Sequence, residues 1–583
     1  MSTFPTWWEQ YPGRLQFEYD ELEAAGIAVI ADDQARQSGV IRWELMVPDR
    51  YTGRGELGLT ATFPEFYPHV RPDVRAHSLA MGHHQHPFGK NLCLIGRASR
   101  AWQPRDTLAW LITSQLSTVL ELGMSGAGGD GEEDQGEPFS DYYSAYASNA
   151  VVLVDSDWRL PAHPAAGMAT LRIQGSLPLD ETRRTSFTIA SLTGSDGTPV
   201  ATLPASIAQL SQGSMEVQGR WGTLSAPVAA DSAQAIWGAA EEADPVSCQG
   251  CLIGGRTYQF RLVAFPEEHA RNSTGTGWVL LVRIEGELIK PARKERRSGH
   301  PARRSPRVGD PTYQLVRAGR VGVGDFRART PELTALSDRR VLLIGAGALG
   351  SVIAQHLARA GVGELTILDG DVLEAGNLAR HACTMSQVGM NKAAAVAALV
   401  QDTHPYTAVR SGNFAVGGVT SGEEQRRILG EEFAQTDLVV DATAEVGTVQ
   451  ELTAALAART STAWVLAEAT NGAWGGSVVR VPAEADWCFA CFQYHRVDGT
   501  MPIPPANPAP PTQPVGCAEP TFIGAAHDLS EVALHAVRTI VAELGGKPVF
   551  DAATVVLHDP DGGPTIPTWS AHTLTRHDQC EHS

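Results

Sequence analysis

No run of about 18 or more apolar residues occurs in the 583-residue chain, so no membrane-spanning helix is expected. The first ten residues, Met-Ser-Thr-Phe-Pro-Thr-Trp-Trp-Glu-Gln, have neither a basic region nor an apolar core. No secretory signal is read there, and the cytoplasm is the expected compartment. Basic residues are outnumbered: 46 Lys and Arg against 65 Asp and Glu give a formal net charge of −19. That balance argues against general nucleic-acid binding. Cysteine is sparse, with eight in the chain. In a large cytosolic protein such thiols are expected to be catalytic or metal-binding rather than paired as disulfides. No internal repeat is found. What is present, a 43 % hydrophobic fraction, is ordinary for a folded chain. The length suggests about three domains.

Two stretches read as linkers. Residues 123–150 open Gly-rich and acidic and cannot bury a core. Residues 290–311 gather Lys290, Arg293, Lys294, Arg296, Arg297, Arg303, Arg304 and Arg307 among Pro and Gly, most simply as a solvated tether. Between and around them lie three blocks. Residues 1–122 mix short strands with a closing helix. Residues 151–289 are β-rich and carry no residue that assigns them a role. Residues 312–583 alternate strands and helices, which implies a parallel sheet covered on both faces. The expected fold class is therefore multidomain, α+β followed by α/β.

The C-terminal block carries the densest chemistry. Val341–Ile344 runs into Gly345-Ala-Gly347-Ala-Leu-Gly350, and Asp369 follows 19 residues after Gly350. Such glycines let the backbone turn tightly and approach phosphate, while the next helix offers free N–H groups to an anion. A dinucleotide site could use the same loop. The residues that follow separate the two: Asp369-Gly-Asp371, Asn377-Leu-Ala-Arg380, Gly389-Met-Asn-Lys392 and Leu438-Val-Val-Asp441-Ala-Thr443. In this order and spacing they strongly resemble the E1/ThiF/MoeB family of adenylating enzymes, with a doubly wound Rossmann-like fold.

The resemblance implies roles. A terminal carboxylate would attack the α-phosphate of ATP, giving an acyl-adenylate. Asp369 would bind the ribose hydroxyls. Asn377, Arg380 and Lys392 would hold the triphosphate and neutralise charge growing in the transition state. Asp441 would hold Mg²⁺. An arginine supplied by the partner in a homodimer is a family habit, and Arg327 and Arg329 are equal candidates for it. Cys517, in Val-Gly-Cys-Ala-Glu-Pro after a stretch with seven prolines between Pro502 and Pro514, would take the acyl group as a thioester. Cys488-Phe-Ala-Cys491 would be half of a structural Zn²⁺ site. Its other half is incomplete here: Cys580 is present, Ser583 stands where a fourth cysteine is expected, and His577 or His582 is the remaining donor. Cys248-Gln-Gly-Cys251 is a further pair, more simply two free thiols in a hairpin.

The N-terminal block also has a recognisable order. Phe63-Pro-Glu-Phe-Tyr67-Pro68-His-Val-Arg-Pro72-Asp-Val is followed by His86-Pro87-Phe88, Cys93-Leu94 and Trp102-Gln-Pro104 before a helix. It resembles the E2 ubiquitin-conjugating (UBC-like) fold, which would make Cys93 a second acyl carrier. Phe88 stands where that family has an oxyanion-stabilising asparagine, with Asn91 or backbone N–H groups as substitutes. His83, His84 and His86 nearby suggest loop packing and local acid–base work rather than a metal.

Together these blocks look like a bacterial E1–E2 fusion, as in CBASS antiphage operons. The resemblance implies antiviral defence and ligation of a protein C-terminus ending in Gly or Ala to a target amine. The modifier would be a cGAS/DncV-like nucleotidyltransferase (CD-NTase), or a bacterial ubiquitin-like protein. A sulfur-carrier adenylyltransferase is a third reading, but it needs no E2-like block. A degenerate scaffold is a fourth, and the retained site residues speak against it.

Overall fold

The computed structural model describes residues 5–95, 102–125, 137–144, 149–179, 182–209, 214–230, 232–270, 273–286, 288–289, 307–417, 422–443, 448–512, 523–548 and 550–581. The chain forms two units, one of residues 1–203 and 211–321, the other of 204–210 and 322–583.

In the first unit an antiparallel meander comes first: β1 (Ala28–Ala31), β2 (Ile41–Val47), β3 (Leu57–Phe63) and β4 (Asp73–Arg75). Strand β2 alternates strictly, with Ile41, Trp43, Leu45 and Val47 buried and the residues between them exposed. That period-2 pattern gives the sheet one dry face. Helices α1 (Pro12–Ala24) and α2 (Leu108–Ser125) supply Leu22, Leu108, Leu111, Ile112 and Leu116 to the same core. One buried carboxylate ties these elements together. Glu18 accepts from the Leu108 N–H (2.8 Å), from Arg14 and from the Tyr67 hydroxyl. Tyr67 of the Phe-Pro-x-x-Tyr-Pro turn is thus a joint between turn and helices.

The middle of the chain is a closed barrel. Its strands are β5 (Ala150–Val154), β6 (Ala166–Gln174), β7 (Thr185–Gly194), β8 (Met215–Thr223), β9 (Arg256–Ala270), β10 (Ser273–Ile284) and β11 (Thr312–Arg320). They run β9-β10-β11-β5-β7-β6-β8, and the parallel pairing of β8 with β9 closes the ring. Alternate residues fill the lumen, among them Phe260, Leu262 and Ala264 of β9 and Trp278, Leu280 and Val282 of β10. Their neighbours Val263, Phe265, Val279 and Leu281 face outward under helices α3 (Phe139–Ser144) and α4 (Ala233–Ala243).

Two boundaries differ from those read in sequence. There the adenylation block begins at residue 312, yet Thr312–Arg320 pairs with β10 and β5 and is a barrel strand. Sequence also placed Phe139–Ser144 in an acidic linker. Its aromatic residues instead pack on the barrel, a placement that local composition does not encode.

The second unit is an eight-stranded sheet. Its parallel strands are β12 (Arg340–Ile344), β13 (Glu364–Leu368), β14 (Ala408–Gly412), β15 (Leu438–Asp441) and β16 (Ala463–Ala469). Antiparallel β17 (Gly475–Val481), β18 (Ala552–His558) and β19 (Pro564–His572) extend it, in the order β14-β13-β12-β15-β16-β17-β18-β19. Leu343, Val440 and Val465 face one apolar cluster and Leu342, Val439 and Leu466 another. Burial on both faces is what a parallel sheet covered by helices requires. Helices α5 (Ala348–Arg359), α6 (Lys392–Thr403) and α7 (Ala526–Leu544) cover the first face. No helix among the described residues is long and apolar enough to cross a membrane.

Candidate functional site

Strand order reverses at β12, whose neighbours are β13 and β15, so their C-terminal ends open a crevice between them. The glycine loop leaves β12 there. Gly345 has φ +88°, and a Cβ on it would sit 2.7 Å from the Ala442 carbonyl carbon. On Gly350 a Cβ would lie 1.9 Å from the Gly345 carbonyl oxygen. A Cβ on Gly347, by contrast, meets nothing within 4 Å, which leaves room at the N-terminus of α5 for a ligand.

Asp369 closes β13 onto this loop. Its Oδ2 accepts from the Ala346 N–H (2.7 Å) and its Oδ1 from the Asp371 N–H (2.8 Å). Burial pushes its carboxyl above the usual range, against those two hydrogen bonds and the Lys392 charge. A carboxylate has about four acceptor positions, so each oxygen keeps one for a further donor. Lys392 opens α6 and its Nζ lies 2.7 Å from Asp371 Oδ2. Asn391 caps that helix, accepting from the Ala394 N–H, while its amide donates to the carbonyls of Asp369 and Asp371. The Asp-x-Asp turn and the lysine are therefore held by one side chain that sequence reasoning passed over. Its signal was there: an Asn immediately before an Ala-rich helical run is an N-cap.

Asn377 and Arg380 sit on a 3₁₀ turn, where Asn377 Oδ1 accepts from the Glu374 N–H (3.0 Å). His381 links this turn to the glycine loop. Its Nδ1 accepts from the Cys383 N–H (3.1 Å), so Nε2 carries the proton and donates to the Ala346 carbonyl (2.7 Å). Burial lowers its pKa, which suits this neutral form. Arg380 and His381 also line a cavity of 240 Å³ with Val352, Gln355, Leu378 and Ser530.

Asp441 ends β15, opposite Ile344 of β12, and is fully buried. Its Oδ1 accepts from the Thr443 N–H (3.0 Å) and hydroxyl (2.8 Å), and its Oδ2 from the Thr453 hydroxyl (2.5 Å). Burial raises its carboxyl above the usual range. Among the described residues these three donors leave one acceptor position of the four.

Cys517 lies outside the described residues, but both flanks of its stretch are described. Asn471 holds them. Its Nδ2 donates to the carbonyls of Asn507 (2.9 Å) and Ala509 (2.7 Å), and its Oδ1 accepts from the Ile523 N–H (3.3 Å). Backbone bonds from Asn507 N–H to the Asn471 carbonyl and from Gly472 N–H to the Ile523 carbonyl complete the clasp.

The three cysteines Cys488, Cys491 and Cys580 converge. Their sulfurs are 3.9 Å apart for Cys488–Cys491 and 3.6 Å for Cys488–Cys580. Tetrahedral Zn²⁺ with Zn–S bonds near 2.3 Å requires about 3.8 Å. His577 does not join them as a side chain. Its Nδ1 accepts from the Gln579 N–H (3.1 Å) and its Nε2 meets Asp498 Oδ2 (2.9 Å), in a separate group with His495. Its contribution is a backbone N–H to Cys491. The expected fourth ligand His577 is thus corrected. His582 and Ser583 lie outside the described residues.

Cys93 is half-buried between buried Leu92 and Leu94. Its N–H donates to the His84 carbonyl (2.8 Å), and the Leu92 N–H to the Val74 carbonyl (2.8 Å). Asn91, one expected substitute for the oxyanion donor, gives one N–H of its amide to Asp73. The Cys248–Cys251 pair is split: Cys248 is buried against the Phe260 carbonyl, while Cys251 reaches the Gln218 carbonyl. That fits free thiols in the barrel wall.

Known proteins resemble this chain in both units. Residues 323–574 match the ThiF family and residues 20–152 the prokaryotic E2 family B. The protein y4qC of Sinorhizobium fredii (strain NBRC 101917 / NGR234) is 30 % identical over 581 residues, covering 96 % of this chain and 94 % of that protein. The ATP-dependent ubiquitin transferase-like protein Cap2 of Enterobacter hormaechei subsp. hoffmannii (strain UCI 50) is 34 % identical over 166 residues, 28 % of this chain and 26 % of that protein. Molybdopterin-synthase adenylyltransferase of Escherichia coli (strain K12) is 34 % identical over 121 residues, 21 % of this chain and 45 % of that protein. A ThiF domain that follows a prokaryotic E2 domain, with full-length similarity to y4qC, identifies the chain as a member of the bacterial E1–E2 fusion family, an enzyme of the ubiquitin-activating and ubiquitin-conjugating type.

Proposed function

We propose that this chain activates the C-terminus of a protein modifier with ATP, carries it as a thioester on Cys517 and then on Cys93, and joins it to a target amine. The observation that carries this reading is the cluster of glycine loop, Asp369, Asp371 and Lys392 at the reversal point of the sheet, on one chain with an E2 fold.

The modifier carboxylate attacks the α-phosphate and pyrophosphate leaves. The Cys517 thiolate then attacks the acyl-adenylate and AMP leaves. The Cys93 thiolate displaces Cys517, and an amine displaces Cys93 to form the amide. Asp369, with one acceptor position left on each oxygen, takes the ribose hydroxyls. Lys392 exchanges Asp371 for phosphate, and Asn377 and Arg380 meet the same charge from the neighbouring turn. Asp441 would hold Mg²⁺ through its remaining acceptor position. Magnesium would screen the phosphate charge there. The three cysteines would hold a structural Zn²⁺, with His582 left as the candidate for a fourth donor, and metal analysis tests it. About one zinc per chain is expected, lost in Cys580→Ser. A homodimer would allow Arg327 or Arg329 to reach a partner's site.

The likeness to Cap2 favours a CBASS setting with a CD-NTase as modifier. A bacterial ubiquitin-like protein is the alternative. The test is a non-reducing gel of the chain with ATP, Mg²⁺ and the protein encoded beside it. A reductant-sensitive adduct lost in Cys517→Ala and held at Cys517 in Cys93→Ala is expected. Pyrophosphate release with no thiol-linked adduct would instead mark a sulfur-carrier adenylyltransferase.

A further inference from the structure

We propose that the middle barrel is a brace for the Cys93 loop, with Glu137 as its positioning residue and Phe88 as its anchor. The inference rests on the reading of Cys93 as an acyl carrier only for its enzymatic consequence.

A continuous chain of contacts runs from the barrel wall to Cys93. Glu268 of β9 accepts from the Glu137 N–H (3.3 Å) and lies 3.5 Å from His83 Nδ1. Both carboxylate oxygens of Glu137 accept from the His84 N–H (3.1 Å each), and Oε1 lies 3.5 Å from His84 Nδ1. The Tyr142 hydroxyl donates to the same carboxylate (3.1 Å). The His84 carbonyl in turn receives the Cys93 N–H. His84 has φ +60°, a left-handed conformation that disfavours a side chain. Bonds on both its N–H and its carbonyl hold it there.

Phe88 explains its own departure from the E2 pattern. It stacks on Tyr143 (6.0 Å between ring centres) and meets Phe139 edge-on (5.9 Å), and Tyr143 packs against Phe265 of β9. An asparagine could not fill that apolar seat. Beside it, the Tyr142 ring lies 4.8 Å from His86. Helix α3 is itself fixed, since buried Glu267 accepts from the Ser140 N–H (2.7 Å) and hydroxyl (3.0 Å) and is paired with Arg320 of β11. The loop next to Cys93 thus takes its shape from a domain that sequence left without a role.

The test uses the full chain carrying Glu137→Ala, Glu137→Gln or Phe88→Ala. Hydrogen exchange over residues 83–95 is read first, with no modifier present. Exchange about tenfold faster is expected in both alanine variants, with β2 and β3 unchanged. Glu137→Gln should return toward wild type, because its amide oxygen still accepts the His84 N–H. Unchanged exchange in the alanine variants overturns the brace. If β2 and β3 also loosen, Tyr142→Phe, which deletes one hydroxyl, replaces them with the same expectation. The second readout is discharge of the Cys93 thioester to hydroxylamine. It should slow about tenfold in Glu137→Ala while Cys517 loads normally, and be rescued in Glu137→Gln. Faster exchange without slower discharge overturns the positioning role. If Cys93→Ala leaves conjugation intact, the carrier reading fails, and the exchange result still decides the brace.

Discussion

Asn471 and Lys392 hold different parts of the second unit. Lys392 is paired to Asp371 at the crevice, where the proposed reaction puts the triphosphate. Asn471 touches no nucleotide-site residue named above. It grips both flanks of the stretch that carries Cys517, at Asn507 and Ala509 on one side and Ile523 on the other. Losing it removes three hydrogen bonds at those flanks. Asn471→Ala is therefore expected to leave ATP–pyrophosphate exchange within about twofold and to slow thioester formation about tenfold or more. Lys392→Ala should do the reverse first, lowering pyrophosphate exchange by roughly 10²–10³. Both assays on one preparation check the split, and an Asn471→Ala that lost both activities together would remove the distinction. The two residues also differ in legibility. Lys392, Asp369 and the glycines were readable because phosphate chemistry fixes their types and spacing. Asn471 acts through backbone groups some 35–50 residues away, and His381 through Ala346, so no local pattern marks either.

At the scale of elements, periodicity carried far. The apolar runs of β12 and β15 marked strands of a parallel sheet covered on both faces, and both strands are buried. The barrel was legible only as β-rich, because closure depends on β8 pairing with β9 across the sequence. Helix α7 adds a pH dependence that pattern alone does not give. His535 stacks on Trp569 (3.7 Å) and Phe550 (5.4 Å), and its buried Nε2 finds no hydrogen-bond partner among the described residues. Burial, aided by Arg538, lowers its pKa from 6.5 to about 4. Between those two values the unfolded chain binds the proton and the folded chain does not. Stability from this group is thus complete above pH 6.5 and falls as the pH drops toward 4. The melting temperature of wild type should drop further than that of His535→Phe between pH 7 and 4.5, by at least about 2 °C. Parallel curves for the two proteins would show that His535 does not set this limb.

For the whole molecule, the placement of β11 changes what the basic stretch 290–306 can do. Read as a tether between domains, it would be the covalent link on which transfer from Cys517 to Cys93 depends. But β11 follows it in sequence and is a barrel strand, zipped to β10 over six residue pairs and to β5 over four. A cut inside 290–306 therefore falls within the first unit. The strand pairing and the buried Val316 and Leu315 should hold the two pieces together after cleavage. A protease site placed between Gly299 and His300 tests this. After cleavage the pieces are expected to co-elute, and transfer to Cys93 should keep a rate independent of protein concentration over about a hundredfold range, because the effective concentration set by one assembly is unchanged. A rate that instead falls in proportion to concentration would mean that β11 leaves the barrel once cut and that the chain needs the basic stretch as a true tether.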